Sequence, residues 1–249
     1  DFEGEKIVFL PRHGRGHVVS PTQVNYRANI DGMKRLGVTD LVSVSAVGSL
    51  REDLVPGMFV IVDQFIDRTF AREKSFFGTG LVAHVSVAHP VCSRLGDHIE
   101  ATLKTTDIEY SRGGTYLVME GPQFSTLAES NMYRNSWGAD VIGMTNMPEA
   151  KLAREAEICY ASVAMVTDFD CWHTEHDAVT VEMIIDNLKA NATATGPILF
   201  ALMEKLGRER PSSLAHDALK DALMTPPDAV PAATRHRLDL FTSAYWGTA

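Results

Sequence analysis

Cysteine is scarce in this sequence, whose 249 residues include only Cys92, Cys159 and Cys171. Their number is odd, they lie far apart, and no two of them form a CxxC pair. A disulfide framework does not fit this pattern, which is typical of proteins in a reducing compartment. We therefore expect a cytoplasmic protein.

Long apolar runs are also lacking. No stretch approaches the roughly 20 apolar residues that span a bilayer, and the N-terminus has no basic region followed by an apolar one. We therefore expect neither a membrane segment nor an export signal.

Basic residues are outnumbered, with 23 Lys and Arg against 32 Asp and Glu, so the formal net charge is −9 at pH 7. Proteins that bind DNA or RNA neutralise phosphates with an excess of basic side chains. We therefore expect no nucleic-acid partner. A small anion held by a few local donors is still compatible with this charge.

Repeats and low-complexity tracts are absent, and 45% of the residues are hydrophobic, enough for a sizeable core. Short apolar runs bounded by turn residues predict buried strands at 6–10, 41–45, 58–66, 114–120 and 158–166. Apolar residues every three or four positions predict helices at 24–37, 89–104, 125–138 and 147–157. This alternation indicates an α/β protein with a central mixed, largely parallel sheet flanked by helices.

The last part of the chain predicts a long amphipathic helix at 179–206. Several prolines between 208 and 232 predict an extended connection with one short helix at 214–224, followed by a final helix at 233–245. We expect 208–249 to be a tail packed on a single domain that spans 1–249.

Two aspartates follow the last predicted strand, in the stretch MVTDFDCWH at 165–173. Ligands of open parallel sheets bind beyond the carboxyl ends of the strands, and residues two apart in an extended chain point to the same side. Asp168 and Asp170 could therefore accept hydrogen bonds from one nitrogenous base, and a protonated carboxyl could give a proton to a ring nitrogen. An alternative in which Asp168 makes a turn and Asp170 caps a helix is equally open.

The stretch PRHGRGH, at 11–17, concentrates hydrogen-bond donors in an acidic protein. Arginine offers a planar fork to phosphate oxygens, and glycine lets backbone N–H groups approach an anion. We expect an anion site here, with an ordinary charged surface loop as the alternative. Val19 stands where a GxGxxG motif would have its third glycine, so a dinucleotide fingerprint is not supported.

Two further stretches could complete an anion site. In SAVGSL, at 45–50, Ser45 and Ala46 could form a small nest of N–H groups, although small residues after a strand usually serve a tight turn. In GMTNMPEA, at 143–150, the hydroxyl of Thr145 and the apolar Met144 precede a helix expected to begin near Pro148. The alternative for Met144 is plain core packing.

Metal and nucleophile chemistry are poorly supported. His13 and His17 are four residues apart, and Cys171, His173 and His176 form a C-x-H-x-x-H cluster, which are ligand types that zinc uses. No CxxC or HExxH motif accompanies them, and there is no GxSxG elbow. We expect no metal site and neither a serine nor a cysteine hydrolase.

The sequence resembles the trimeric purine nucleoside phosphorylase family, and within it the branch that acts on 5'-methylthioadenosine. The resemblance covers most of the chain between residue 6 and about residue 206. It rests on PRHGRGH followed by PTQVNYRANI, SAVGSLREDLVPGMFVIVDQFIDRT, MEGPQFST, GADVIGMTNMPEAKLAREAEICYASVAMVTDFDCW and HDAVTVE. It implies the nucleoside phosphorylase fold.

The resemblance also implies a reaction in purine and methionine salvage. Phosphate, the co-substrate, attacks the anomeric carbon of 5'-methylthioadenosine and releases adenine and 5-methylthioribose 1-phosphate, without metal or organic cofactor. The sugar becomes cation-like and the leaving base needs its negative charge neutralised, so an acid at the base and an anion beneath the sugar both help. The family implies a homotrimer or a dimer of trimers.

By this resemblance each candidate residue takes a role. Phosphate is held by Arg12, His13, Ser45, Ala46 and Thr145. The base and ribose pack against Phe124 and Met144. Asp168 protonates or hydrogen-bonds N7 of the purine, and Asp170 accepts from its exocyclic amino group. A carboxylate rather than an amide at the first of these two positions, Asp168, favours adenine over a 6-oxopurine.

The remaining implied roles concern specificity and assembly. Val181 and Ile184 match the apolar pocket for the methylthio group, with ordinary helix core as their alternative. Ser125 lies at a position linked to specificity. His84 matches a residue that related enzymes lend across the subunit interface.

One departure from the family pattern leaves alternatives open. The family begins with a strand and a Gly-rich loop that carries a further phosphate-binding Ser or Thr, and nothing before Lys6 can supply it. We expect that the sequence lacks this N-terminal part. The alternatives are a phosphorylase that prefers methylthioinosine or another purine nucleoside, and a noncatalytic nucleoside-binding protein that has lost its phosphate loop.

Overall fold

The computed structural model describes residues 6–173 and 213–248, with Gly196 between them. The predicted helix at 179–206, and with it Val181 and Ile184, lies outside the described residues. Within the described ranges, none of the helices has the length and apolar character that crossing a bilayer requires.

A mixed sheet forms the centre of the described structure, and its seven strands lie in the order β3-β5-β6-β1-β7-β2-β4. Four neighbouring pairs are parallel, and two, β1 with β6 and β2 with β7, are antiparallel. The mixed, mostly parallel α/β fold predicted from the sequence is thereby confirmed. The strands are β1 Asp40–Ser49, β2 Phe59–Val62, β3 Gln64–Arg68, β4 Tyr110–Arg112, β5 Thr115–Met119, β6 Val141–Gly143 and β7 Cys159–Asp168.

Helices accompany the sheet at the predicted places. The described ranges contain α1 Tyr26–Arg35, α2 Ser93–Leu103, α3 Leu127–Asn135, α4 Glu149–Glu155 and α5 Ala232–Trp246, with short 3-10 turns at Pro21–Gln23 and Pro227–Ala229. Predicted helices are thus confirmed at five places, and the one expected near Pro148 begins at Glu149.

Strand β7 is buried at nine of its ten positions because both of its faces are covered. Tyr160, Ala164 and Val166 pack in one apolar cluster with residues of α1, α4 and α5. Cys159, Ala161, Val163 and Met165 pack in a second cluster with residues of α2. A largely apolar run is what a strand enclosed on both faces requires, and the strand predicted at 158–166 is confirmed.

The run at 58–66 forms two strands rather than the single one predicted. It bends at Asp63, whose carboxylate accepts from Gly114 N–H at 3.1 Å. The partner segment bends at Gly113 and Gly114, which have φ angles of 87° and 155°. As a result β2 pairs with β4 and β3 pairs with β5, although these two pairs stand at opposite ends of the strand order. The two ends are joined through the bends, so the sheet curls back on itself.

Three other local predictions are wrong. Residues 6–10 form no strand, because the described structure does not cover this apolar run: Ile7, Phe9 and Leu10 are 43%, 82% and 36% exposed. The strand predicted at 41–45 continues to Ser49 because β7 and β6 pair with its second half. Residues 214–222 form successive turns instead of the helix predicted at 214–224, and Leu219 N–H donates to the Glu157 carboxylate at 3.0 Å instead of to a helical carbonyl.

The described part of the C-terminal segment packs on the sheet and its helices. Leu223 forms a β-bridge with Ala83, and the rings of Phe241 and Phe76 lie 4.3 Å apart. The Tyr245 hydroxyl also bonds the Glu157 carboxylate. The prediction of one domain over 1–249 stays a prediction, since part of that range is outside the described residues.

A buried ion pair holds together the loops on one side of the sheet. Arg72 Nε donates to Glu120 Oε1 at 3.1 Å, and their side chains are 1% and 9% exposed. Arg72 Nη1 also donates to the carbonyls of Met144 and Met147, and Phe70 N–H donates to the Glu120 carboxylate. The pair therefore fixes the chain that follows β6.

We predict that Arg72→Ala strongly destabilises the fold, because it leaves the Glu120 carboxylate buried without its charged partner. The expected loss is about 3 to 5 kcal/mol of unfolding free energy, measured by urea denaturation. Arg27→Ala is the matched control, since Arg27 pairs with Glu73 at 3.7 Å with side chains 44% and 76% exposed, and should cost less than about 1 kcal/mol. Equal losses in the two variants would contradict the prediction.

Candidate active site

Strand register brings the candidate site residues together at one region of the sheet. Strand β1 runs parallel to β7, and Gly48 pairs with Asp168 at the carboxyl ends of both. On its other side β1 runs antiparallel to β6, with Gly48 opposite Ile142. The chain leaving β6 therefore passes back along β1, and the hydroxyl oxygens of Thr145 and Ser45 come to 3.4 Å.

The carboxylate pair sits on an irregularity of β7. The pairing of β1 with β7 shifts between Val47 and Gly48, so Thr167 is left out of the ladder, and such bulges re-aim side chains next to active sites. Asp168 Oδ1 accepts from Asp170 N–H at 2.8 Å, and Asp170 has a positive φ of 53°. The sequence left open whether strand geometry continues to Asp170 or a turn forms at Asp168. The structure has the turn at Asp168. No described helix begins at Asp170.

Both carboxyl groups are held in a way that favours protonation. Burial raises the pKa of Asp168 and outweighs the hydrogen bonds from Thr167 Oγ1 and Asp170 N–H; the Asp170 charge adds to the rise. Burial likewise raises the pKa of Asp170, and hydrogen bonds from Ser130 and Cys171 only partly offset it. A buried carboxyl with a raised pKa at the end of a central strand is suited to act as an acid.

Gly48 provides the space in which this turn lies. A Cβ on Gly48 would lie 2.9 Å from Asp168 Oδ1 and 3.3 Å from Asp170 N. A real Cβ does not approach an oxygen so closely, and the atoms it would meet belong to the carboxylate and the backbone. Glycine is therefore required here by close packing, since its φ is not positive.

The segment before α3 and the first turn of α3 contact the residues of the carboxylate turn. Ser125 carbonyl oxygen accepts from Cys171 Sγ at 3.5 Å, and Ser130 Oγ donates to Asp170 Oδ2. Phe124 is 53% exposed at the start of this segment. Ser130 was missed by sequence reasoning, and the signal for it is slight: it lies one helical turn before the buried Tyr133 on the inner face of α3.

Met144 packs against the loop that follows β5. It is half-buried, and its Sδ would lie 2.5 Å from a Cβ on Gly121, whose φ is 67°. Its carbonyl is held by Arg72 Nη1 at 2.7 Å. The thioether therefore packs on a glycine three residues before Phe124.

A cluster of donors surrounds Ser45. Arg12 Nη2 donates to Val44 carbonyl at 2.7 Å and to Ser45 Oγ at 2.9 Å. Arg12 Nη1 faces Glu149 Oε1 at 3.2 Å and Asn146 Oδ1 at 3.5 Å. Burial acts to lower the pKa of Arg12, but Glu149 and neighbouring tyrosines outweigh it and raise the pKa. The guanidinium is therefore a permanent buried charge whose Nη groups are engaged by the protein.

Ser45 and Ala46 do not form the expected nest of N–H groups. Both lie within β1, where they pair with Ala164 and Met165. In an extended strand successive N–H groups point to opposite edges, whereas a nest needs a turn. What this place offers is the pair of hydroxyls of Ser45 and Thr145, each less than 10% exposed.

His13 lies near this cluster in a stack with His17, their ring centroids 4.2 Å apart. Its Nδ1 donates to Val19 carbonyl at 2.8 Å. Burial lowers the pKa of His13 and outweighs that hydrogen bond, and the neighbouring His17 and Arg12 charges lower it further. The neutral ring therefore presents Nε2 as an acceptor near pH 7.

His84 lies elsewhere in the chain. It is exposed and lines a cavity of about 960 Å³ with Arg94 and Ser213, and neither aspartate lies among the described residues that line it. The described residues contain no group of three or more His, Cys, Asp or Glu side chains arranged to hold a metal ion. His176, part of the weighed zinc cluster, is outside those residues.

The sequence and the fold both match a known class of proteins. Residues 3–204 match the phosphorylase superfamily, and the chain belongs to that family. It is 64% identical to the S-methyl-5'-thioadenosine phosphorylase of Rhodospirillum rubrum over 229 residues, 91% of this chain and 77% of the relative. The relative of that name from Geobacter sulfurreducens is 55% identical, with 98% of this chain and 85% of the relative covered.

Solved structures of methylthioadenosine phosphorylases are similar to this chain in fold and in sequence. A methylthioadenosine phosphorylase from an antarctic soil metagenomic library superposes with a TM-score of 0.89 at 50% identity, covering 94% of this chain and 82% of that one. The methylthioadenosine phosphorylase of Schistosoma mansoni in complex with adenine has a TM-score of 0.77 at 37% identity, covering 81% of this chain and 76% of that one.

We predict that Gly48→Ala lowers kcat/KM for 5'-methylthioadenosine, the substrate of these relatives, by about 100-fold, because the added Cβ displaces Asp168. Steady-state kinetics test this. Gly32→Ala in α1 is the control, because a Cβ there meets nothing within 4 Å. Wild-type kinetics in Gly48→Ala would show that the close approach is not needed.

Proposed function

We propose that this chain catalyses the phosphorolysis of 5'-methylthioadenosine to adenine and 5-methylthioribose 1-phosphate. The observation that carries this is a buried carboxylate pair at the end of β7 beside a donor cluster on the neighbouring strand β1, where Gly48 pairs with Asp168. Ser45 and Gly48 are separated on β1 by about 10 Å, at about 3.3 Å per residue, which leaves room for a sugar ring between base and phosphate. The high identity to phosphorylases of this substrate supports the assignment.

Asp168 is the residue we assign to departure of the base. Its raised pKa lets it carry a proton that it gives to, or shares with, N7 of the purine as the glycosidic bond breaks. Asp170 then accepts from the exocyclic amino group of adenine, with Ser130 holding its Oδ2. Phe124, Ser125 and Met144 would line the base and ribose.

The donor cluster would hold phosphate, the co-substrate. Arg12 supplies the fixed positive charge, Ser45 and Thr145 supply hydroxyl donors, and the neutral Nε2 of His13 can accept from a protonated phosphate oxygen. Held there, the anion lies beneath the cation-like sugar and stabilises it. No metal or organic cofactor is required by this scheme.

The finer features of the family are also proposals. We infer a homotrimer or a dimer of trimers in which His84 reaches the site of a neighbouring subunit, and its exposure supports this. We place the protein in the cytoplasm, in purine and methionine salvage.

The direct test is purine release from methylthioadenosine, methylthioinosine, adenosine and inosine, each with and without phosphate. We expect phosphate-dependent release of adenine from methylthioadenosine far ahead of the others. Release mainly from methylthioinosine or inosine would keep the phosphorylase and overturn the base assignment. Nucleoside binding without turnover would favour a noncatalytic protein.

We predict that Asp168→Asn lowers kcat/KM for methylthioadenosine by at least about 100-fold, because the acid is lost, and relatively favours 6-oxopurine nucleosides. Asp107→Asn is the control, because Asp107 is an exposed carboxylate in the loop before β4. Unchanged kinetics in Asp168→Asn would remove Asp168 from the mechanism.

A further inference from the structure

Tyr116, on β5, buries a hydroxyl that makes no regular hydrogen bond within the described part of the chain. The residue is fully buried, and its Oη has no partner among the described residues. By contrast, the hydroxyl of the equally buried Tyr160 donates to Glu149 Oε1 at 2.9 Å. An unpaired buried hydroxyl is costly and rare, so its presence calls for an explanation in terms of function.

The position of this hydroxyl is defined by its neighbours. It occupies the space that a Cβ on Gly143 would fill, since Tyr116 Oη would lie only 2.0 Å from that Cβ. The hydroxyls of Ser45 and Thr145 lie close enough to act on the pKa of Tyr116, although neither makes a regular hydrogen bond with it. Burial raises that pKa to about 12, so the phenol keeps the hydrogen it can donate.

Three donors of the surrounding cluster crowd one acceptor, the amide oxygen of Asn146. Asn146 Oδ1 accepts from Ser45 Oγ at 2.6 Å and also faces Thr145 Oγ1 and Arg12 Nη1, each at 3.5 Å. An amide oxygen has two lone pairs, so three donors exceed its capacity. The hydrogen of Thr145 has two long contacts as its acceptors, Asn146 Oδ1 at 3.5 Å and Ser45 Oγ at 3.4 Å. A bound anion would supply a closer one.

We propose that Tyr116 is a positioning residue for the anionic co-substrate, donating its hydrogen to Thr145 Oγ1 so that Thr145 turns its own hydrogen to a phosphate oxygen. This rests on the proposed phosphorolysis. Tyr116 itself is too buried to touch phosphate and acts through Thr145. Gly143 is the residue that lets the phenol reach this place.

The test is Tyr116→Phe, which keeps the ring and removes only the hydroxyl. We expect KM for phosphate to rise about tenfold, while KM for methylthioadenosine and kcat at saturating phosphate stay within about twofold of wild type. The Tm without phosphate should stay equal or rise, because an unpaired buried polar group is removed. Tyr110→Phe is the matched control, since its hydroxyl bonds Glu100 at 3.3 Å on the edge strand β4.

The outcomes separate this inference from the proposed function. A phosphate-dependent wild type with an unchanged phosphate KM in Tyr116→Phe overturns the positioning role alone, and so does an equal rise of both KM values with a lower Tm. If the wild type shows no phosphate-dependent turnover, the positioning role is tested by the rise in Tm that inorganic phosphate causes in wild type and in Tyr116→Phe. A smaller rise in Tyr116→Phe than in wild type supports the role, and equal rises overturn it.

Discussion

The hydrogen-bond register of β1 with its two neighbours fixes where the parts of the candidate site lie. On one side β7 places Asp168 opposite Gly48, and on the other the antiparallel β6 directs its following residues back towards Ser45. A shift of this register by one residue would turn each of these side chains to the other face of the sheet. The separation between the carboxylates and the donor cluster is therefore set by backbone geometry instead of by side-chain choice.

Burial has different effects on the carboxylate pair and on the donor cluster around Arg12. It raises the pKa of the carboxyl groups, which makes them available as acids, and it leaves the charge of Arg12 unscreened by water. Both effects need the loops after β5 and β6 to stay closed over the sheet. The buried pair of Arg72 and Glu120 serves this purpose, because it ties these loops together at their carbonyl groups.

The sequence predicts the elements whose burial leaves a clear pattern. The continuous apolar run of β7, the helices with three- and four-residue spacing and the polar residues at strand ends are of this kind. The division of 58–66 could not be predicted, because it depends on a bend matched by two glycines some 50 residues later. Tyr116 and Ser130 were missed for a related reason: each is part of an element whose pattern indicates packing, and the polar function of the hydroxyl appears only from its neighbours in space.

The left-handed backbone of Asp170 limits how a base pocket built on it can change. With a φ of 53°, this position favours Asp, Asn or Gly, since larger and β-branched residues are strained there. Asp and Asn differ in whether they only accept hydrogen bonds or can also donate them, while both fit the same turn. If Asp170 contacts the base as proposed, Asp170→Asn would change the hydrogen bonds offered to the base without changing the backbone. Most other substitutions at this position would require the turn itself to change.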